Sequence, residues 1–273
     1  MSADNMRLAV LIDADNAPRD CLKSVMEEIA VYGTPTIKRI YGDWTSPYVS
    51  GWKASLLENA VTPIQQYSYT TGKNSTDSAM IIDAMDILYT GSTDGFVLVS
   101  SDSDFTRLAL RLREAGKYVI GIGERKTPAP FIVACDKFIY IEVIRERLKK
   151  TEEAAKKAAA QQQQRKKAQQ AKQSPAKKNG KPAEEQPQEK KVPDEIVALI
   201  ADSVSDLADE DGFVALSSLG NLIIKKQPDF DPRNFGFGKL STMMKSLQRF
   251  EVDERPAVSD PLSKLVYIRD LDA

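Results

Sequence analysis

No histidine occurs anywhere in the 273-residue chain. Imidazole is therefore excluded as general base, nucleophile or nitrogen ligand, and metal or acid–base chemistry falls to other side chains. Cysteine is nearly absent too. Cys21 and Cys135 lie in separate segments with neither CxxC nor metal-ligand spacing, so both read as reduced thiols among apolar neighbours. No stretch reaches the roughly 18 apolar residues of a membrane span. The opening MSADNMRLAV also lacks the charged-then-apolar pattern of a signal peptide. These absences predict a cytoplasmic protein with no membrane partner.

Net charge is small as well, −1, but it conceals an asymmetry. Residues 1–148 carry 16 basic and 19 acidic side chains, 149–191 carry 13 and 5, and 192–273 carry 9 and 15. The middle segment is rich in Ala, Gln and Lys and has almost no residue able to anchor a core. It reads as a basic linker, partly helical or disordered, between domains at 1–148 and 192–273. Its helix-favouring half can extend a helix starting near Val143, and Ser174, Pro175, Gly180, Pro182 and Pro187 stop any helix beyond. Its lysines serve either solubility or a salt-sensitive hold on nucleic acid phosphates.

The first domain alternates strand and helix periods. RLAVLID, TIKRIYGD, TPIQQYS, GFVLVSSD, KYVIGIG and KFIYIE read as six strands. Between them run amphipathic helices: DCLKSVMEEIAVYG, closed by Gly33, then SGWKASLLENA, TDSAMIIDAMDILYTG and SDFTRLALRLREAG. Such alternation predicts an α/β fold, an open and mostly parallel sheet with helices on both faces. Ligands of these sheets bind beyond the carboxyl ends of the strands. Asp13, Asp102 and Asp104 fall there.

Asp13 follows Leu11 and Ile12 at the end of the first strand, where a buried carboxylate needs a special partner. Asp15 and Asn16 can serve the same site or simply cap the turn before Pro18. After the fourth strand comes Ser100-Ser101-Asp102-Ser103-Asp104. Ser103 or Asp104 is a natural N-cap for the next helix, which leaves Asp102 without a capping role. Carboxylates in adjacent strand-end loops point to a shared hard cation, Mg²⁺ or Mn²⁺, and to a phosphate substrate. Asp77 opens the third helix, and Lys73 in the preceding loop is either a contact for substrate phosphate or a solvated lysine. Asp83 lies about 240° around that helix from Asp77. It reads first as a hydrogen-bonding structural carboxylate and second as a supporting site residue.

The set LIDADN, GKNSTDSAMIIDAMDIL and LVSSDSDFTRLALRLREAGKYVIGIG, in this order, resembles the NYN domains of the LabA-like group, relatives of the PIN and FLAP nucleases. The resemblance covers about the first 145 residues. It implies a PIN-like metal-dependent ribonuclease. Asp13, Asp77, Asp102 and Asp104 match its catalytic acids, and the first three would hold the ion directly or through water. Asn16 would orient the groups that bind it. The family often has Gly where this chain has Ser101, a change expected to crowd the loop slightly.

Residues 192–273 read helix, short Gly212-Phe213-Val214 connection, helix, loop, helix and a hairpin from Phe250 to Ile268, a small winged-helix pattern. The segment is similar to the OST-HTH or LOTUS domain through Gly212-Phe213-Val214, Leu219-Gly220 and Phe235-Gly236-Phe237-Gly238-Lys239-Leu240. That resemblance implies RNA binding, G-rich or structured RNA included, or a protein partner. Arg233, Lys239 and Lys245 lie on or beside the third helix, where they either contact RNA or are solvated. Phe235 and Phe237 read as packing residues. Two other functions compete with the ribonuclease: an RNA-binding adaptor without turnover, and a haloacid dehalogenase-type phosphatase using Asp13-Ala14-Asp15. In the latter case Asn16-Ala17-Pro18 replaces the continuation expected of that motif.

Overall fold

The computed structural model of the chain describes residues 6–67, 75–151, 192–256 and 264–272. Six parallel strands form one sheet: β1 (Arg7–Asp13), β2 (Thr34–Gly42), β3 (Thr62–Gln65), β4 (Gly95–Val99), β5 (Tyr118–Gly123) and β6 (Lys137–Tyr140). Their order is β3-β2-β1-β4-β5-β6. The chain winds outward from β1 in one direction and from β4 in the other, so the winding reverses between these two neighbours.

Alternation along β1 divides the core. Leu8, Val10 and Ile12 pack with α1 (Leu22–Ile29), α2 (Lys53–Asn59) and α6 (141–151) through Val25, Ile29, Leu56 and Ile144. Ala9 and Leu11 face α3 (Ser75–Thr90), α4 (Thr106–Glu114) and α5 (Ala129–Ala134) through Met80, Ala84, Leu108 and Phe131. Covered on both faces, β4 is buried along its whole length, which its uninterrupted apolar sequence anticipates. Cys21 and Cys135 are free and buried, and burial pushes their thiols up to about 11 and about 12.

All six expected strands are present, and Gly91 and Gly116 follow their helices at φ 64° and 75°. Two local expectations change. The first helix ends at Ile29, short of Gly33, where the Val31 and Tyr32 amides donate to the Glu28 and Ile29 carbonyls, three residues back, in a tighter turn. Helix α5 had no counterpart in the sequence reading. Six residues are too few to display a 3.6-residue period, and Phe131 and Ala134 are its buried side chains.

The C-terminal part has the winged-helix arrangement. Helices α7 (Asp194–Leu207), α8 (Leu216–Lys226) and α9 (Leu240–Ser246) pack against an antiparallel sheet. Its order is β7-β9-β8, built from β7 (Val214–Ala215), β8 (Phe250–Pro256) and β9 (Lys264–Asp270). The Gly212-Phe213-Val214 connection thus contributes a short strand. Phe237 is buried and Phe235 packs on the same core, as expected.

The two parts meet at β6, the edge of the large sheet. The Phe138 amide donates to the Pro228 carbonyl at 2.9 Å, and the Tyr140 hydroxyl donates to Asp229 at 2.7 Å. Pairing of this kind removes an open strand edge. Beside it the Arg233 guanidinium donates to both Glu28 oxygens, at 2.6 and 3.0 Å, and to Asp231 at 2.7 Å. The Glu28 side chain is only 4 % exposed, and Arg147 is its second basic partner. Arg233, expected either to contact RNA or to be solvated, instead pairs with Glu28 and Asp231, which together surround its fork of donors where the two parts meet.

Removing one partner of a buried pair costs up to about 3–5 kcal/mol, less here because Arg147 still pairs with Glu28. Arg233→Ala is therefore expected to undock the C-terminal part, read by small-angle scattering as a larger radius of gyration and by calorimetry as a separate unfolding transition. Unchanged scattering would show that the β6 contacts alone hold the two parts.

Candidate metal centre

The winding reverses between β1 and β4, and predicted acids converge beyond the carboxyl ends of these strands. Asp13, the last residue of β1, is 1 % exposed. Its Oδ1 accepts from the Asp15 amide at 3.0 Å, and its Oδ2 accepts from Asn16 Nδ2 and Ser100 Oγ, each at 2.8 Å. Ser100 Oγ in turn accepts from the Asp102 amide at 3.1 Å. A continuous chain of hydrogen bonds thus runs from the β1 loop to the β4 loop through one serine hydroxyl.

Asp102 is the N-cap of the short 3-10 turn Ser103–Phe105 that leads into α4, and its Oδ1 accepts from the Asp104 amide at 2.9 Å. The sequence pattern favours Ser103 or Asp104 in that role. The cap lies one residue earlier because the turn begins with a 3-10 segment. Capping occupies one oxygen of Asp102 and brings Asp104 alongside. Asp77, in the first turn of α3, approaches from the other loop. One carboxylate oxygen each from Asp77, Asp102 and Asp104 lies within 4.8 Å of the others. Asp77 and Asp102 are half-buried and Asp104 is exposed.

Three carboxylates this close repel one another. Burial, then the negative charges of Asp13, Asp102, Asp104 and Asp15, push Asp77 up to about 6. Asp15 is also raised, by burial and by Asp13, with a side-chain hydrogen bond to Thr76 opposing the shift. Three carboxylates held at this spacing offer the hard oxygen donors that fit Mg²⁺ or Mn²⁺.

Of the expected ligands Asp13, Asp77 and Asp102, the last two lie in this cluster among the described residues, together with Asp104. Both Asp13 oxygens accept hydrogen bonds in a buried setting, and its negative charge also acts on Asp77. Asn16 binds Asp13 directly. Asp83 is bonded to Arg39 and Tyr41 on β2, well round the helix from Asp77, which accords with a structural carboxylate. Ser101 does not crowd its loop; its hydroxyl accepts from the Glu124 amide at 2.9 Å and ties β4 to β5. Close packing is instead met at Gly123, where a Cβ would stand 2.7 Å from the Ser100 carbonyl. Lys73 lies outside the described residues. Lys239 is exposed at the N-cap of α9, and Lys245 is paired with Glu254 on β8. Ser100 and Thr76 were not singled out from sequence. A hydroxyl at the end of an apolar strand, level with Asp13, was the available signal for Ser100.

The NYN domain family matches residues 7–142, and the OST-HTH/LOTUS domain family matches residues 188–260. The chain is therefore an NYN-domain protein, of the PIN-like nuclease class, with an OST-HTH/LOTUS domain following. Curated proteins gave no match. Three solved structures are similar in part. A crystal structure of a protein of unknown function from Vibrio parahaemolyticus is 21% identical, with 52% of this chain and 96% of that one covered and a TM-score of 0.43. A solution structure of an uncharacterised protein from Nitrosomonas europaea is 27% identical, covering 36% and 91% with a TM-score of 0.28. Another, from Chromobacterium violaceum, is 32% identical, covering 31% and 87% with a TM-score of 0.24. No helix among the described residues is long and apolar enough to cross a membrane.

A raised carboxyl pKa stabilises the fold fully below the unfolded value and loses that contribution as pH rises through the folded one. For Asp77 the window runs from 3.8 to about 6. Discounted for its solvent exposure, the penalty above that window is about 1–2 kcal/mol. In EDTA at pH 7, Asp77→Asn is thus expected to raise Tm by about 2–6 °C, a gain that shrinks towards pH 4. A gain independent of pH would assign it to something other than charge.

Proposed function

We propose that the protein is a metal-dependent ribonuclease, and the observation that carries this reading is the carboxylate cluster Asp77–Asp102–Asp104 beyond the strand ends of a PIN-like domain. A Mg²⁺ or Mn²⁺ ion bound there would lower the pKa of a coordinated water and neutralise charge on the phosphate. The chain's own residues set up that chemistry. Asp77, Asp102 and Asp104 hold the ion. Asp13, pinned by Asn16 and Ser100, fixes the two loops in register and adds negative charge that favours the cation over a proton at Asp77. Lys73 is assigned to substrate phosphate.

RNA as substrate is supported by the OST-HTH/LOTUS domain and by the excess of basic residues in 149–191. We divide the chain into a nuclease domain at 1–148, a basic tether at 149–191 and a winged-helix RNA-binding or targeting domain at 192–273, where Lys239 and Lys245 meet phosphate. The two free, buried thiols favour a reducing cytoplasmic setting. A phosphatase using Asp13 as nucleophile loses support, because that carboxylate is buried with both oxygens already accepting hydrogen bonds.

Asp102→Asn is expected to lower cleavage of a labelled RNA pool in Mn²⁺ or Mg²⁺ by about 100-fold or more, to abolish the rise of Tm on adding Mn²⁺, and to leave RNA affinity within about twofold. Wild-type cleavage should stop in EDTA. RNA binding without cleavage in any metal would make the protein an adaptor.

A further inference from the structure

The solvent face of the C-terminal hairpin carries an arrangement that the metal centre and the basic residues of α9 leave unused. Tyr267, Arg255, Phe213 and Arg269 form a ladder of alternating rings and guanidinium groups. Arg255 lies 4.5 Å from the Tyr267 ring centre and 4.7 Å from that of Phe213, and Arg269 lies 4.8 Å from Phe213. Three segments build it. Tyr267 pairs with Asp253 across β8 and β9, and Arg269 with Glu251, so these side chains share one face with Arg255. Phe213 comes from the turn after α7, where its amide donates to Asp209 at 2.8 Å. Gly212 takes the left-handed φ of 79° that this turn requires, a conformation favouring glycine, and the Arg269 stem lies beside it.

Each guanidinium is oriented in its own plane by a carboxylate: Arg255 Nε donates to Asp253 at 2.7 Å and Arg269 Nε to Glu251 at 2.9 Å. In-plane hydrogen bonds leave the flat faces available for stacking. The ladder is not buried: the arginine side chains are 45% and 42% exposed, and Phe213 and Tyr267 are half-buried. Glu251, Asp253 and nearby Asp209 balance the positive charge, so the surface is a poor phosphate site. Its chemistry suits flat, uncharged π systems with polar edges.

We propose that the Phe213–Arg255–Tyr267–Arg269 ladder is a stacking platform for unpaired bases of single-stranded RNA. This rests on the RNA-binding reading given above and adds the part of the ligand that is read. Bases extend the ladder at its Arg269 and Tyr267 ends, and lysines such as Lys239 supply the attraction for phosphate. Duplex RNA, whose bases are already stacked, gains nothing there.

The discriminating substitution is Arg255→Lys, which keeps the charge and the pairing with Asp253 but removes the flat face. Binding of the full chain in EDTA is followed by fluorescence anisotropy with a labelled single-stranded RNA 12-mer, the same strand with abasic positions, and a duplex. The wild type should prefer the base-bearing single strand. Arg255→Lys should weaken that binding about tenfold, leave the abasic strand and the salt dependence unchanged, and Tyr267→Phe should bind as wild type. Equal binding by wild type and Arg255→Lys, at similar Tm, would leave the ladder a purely structural stack while the RNA reading stands. No RNA binding by the wild type would overturn both.

Discussion

The carboxylate of Asp13, buried between the ends of the two central strands, is the constraint on which the site depends. A charge at 1 % exposure is tolerable only when its oxygens are hydrogen-bonded, and here an amide, an amide side chain and a hydroxyl do this. Because the hydroxyl belongs to Ser100, satisfying Asp13 also fixes the loop after β4. Ser100 then positions the Asp102 amide, and Asp102 caps the turn that carries Asp104. The placement of Asp102 and Asp104 thus follows from the burial of Asp13.

That arrangement is electrostatically unfavourable by itself. The proton affinity of Asp77 is raised by burial and by four neighbouring aspartates, and nothing basic among those causes relieves it. Sites of this kind exchange fold stability for affinity towards a cation, the relation expected where function and stability compete. The C-terminal part shows the opposite treatment of charge. Arg233, Glu28, Asp231 and Arg147 neutralise one another at the contact with the large sheet, so burial there consolidates an interface.

Much of the fold was legible because both periodicities are strong. The continuous apolar β4, the terminal glycines Gly91 and Gly116 and the acids at strand ends each follow from local rules, and the two domain families were recognisable from short motifs in order. What escaped depended on contacts distant in sequence. Helix α5 was too short to show a period. Arg233 looked like an open basic residue because its partner Glu28 lies 205 positions away. Asp104 lies beside Asp77 and Asp102 because Asp102 caps the turn that carries it. The reading of Phe213 as a connection missed its stacking because Arg255 and Arg269 reach it from a hairpin far along the chain.

The central claim is that Asp77, Asp102 and Asp104 together hold a divalent cation. Anomalous diffraction from crystals soaked in Mn²⁺ tests it most directly. An anomalous peak is expected at about 2.0–2.4 Å from an oxygen of at least two of these carboxylates, lost in Asp102→Asn crystals. A wild-type crystal with no peak at this cluster, or with manganese bound elsewhere and the three aspartates uncoordinated, would contradict it.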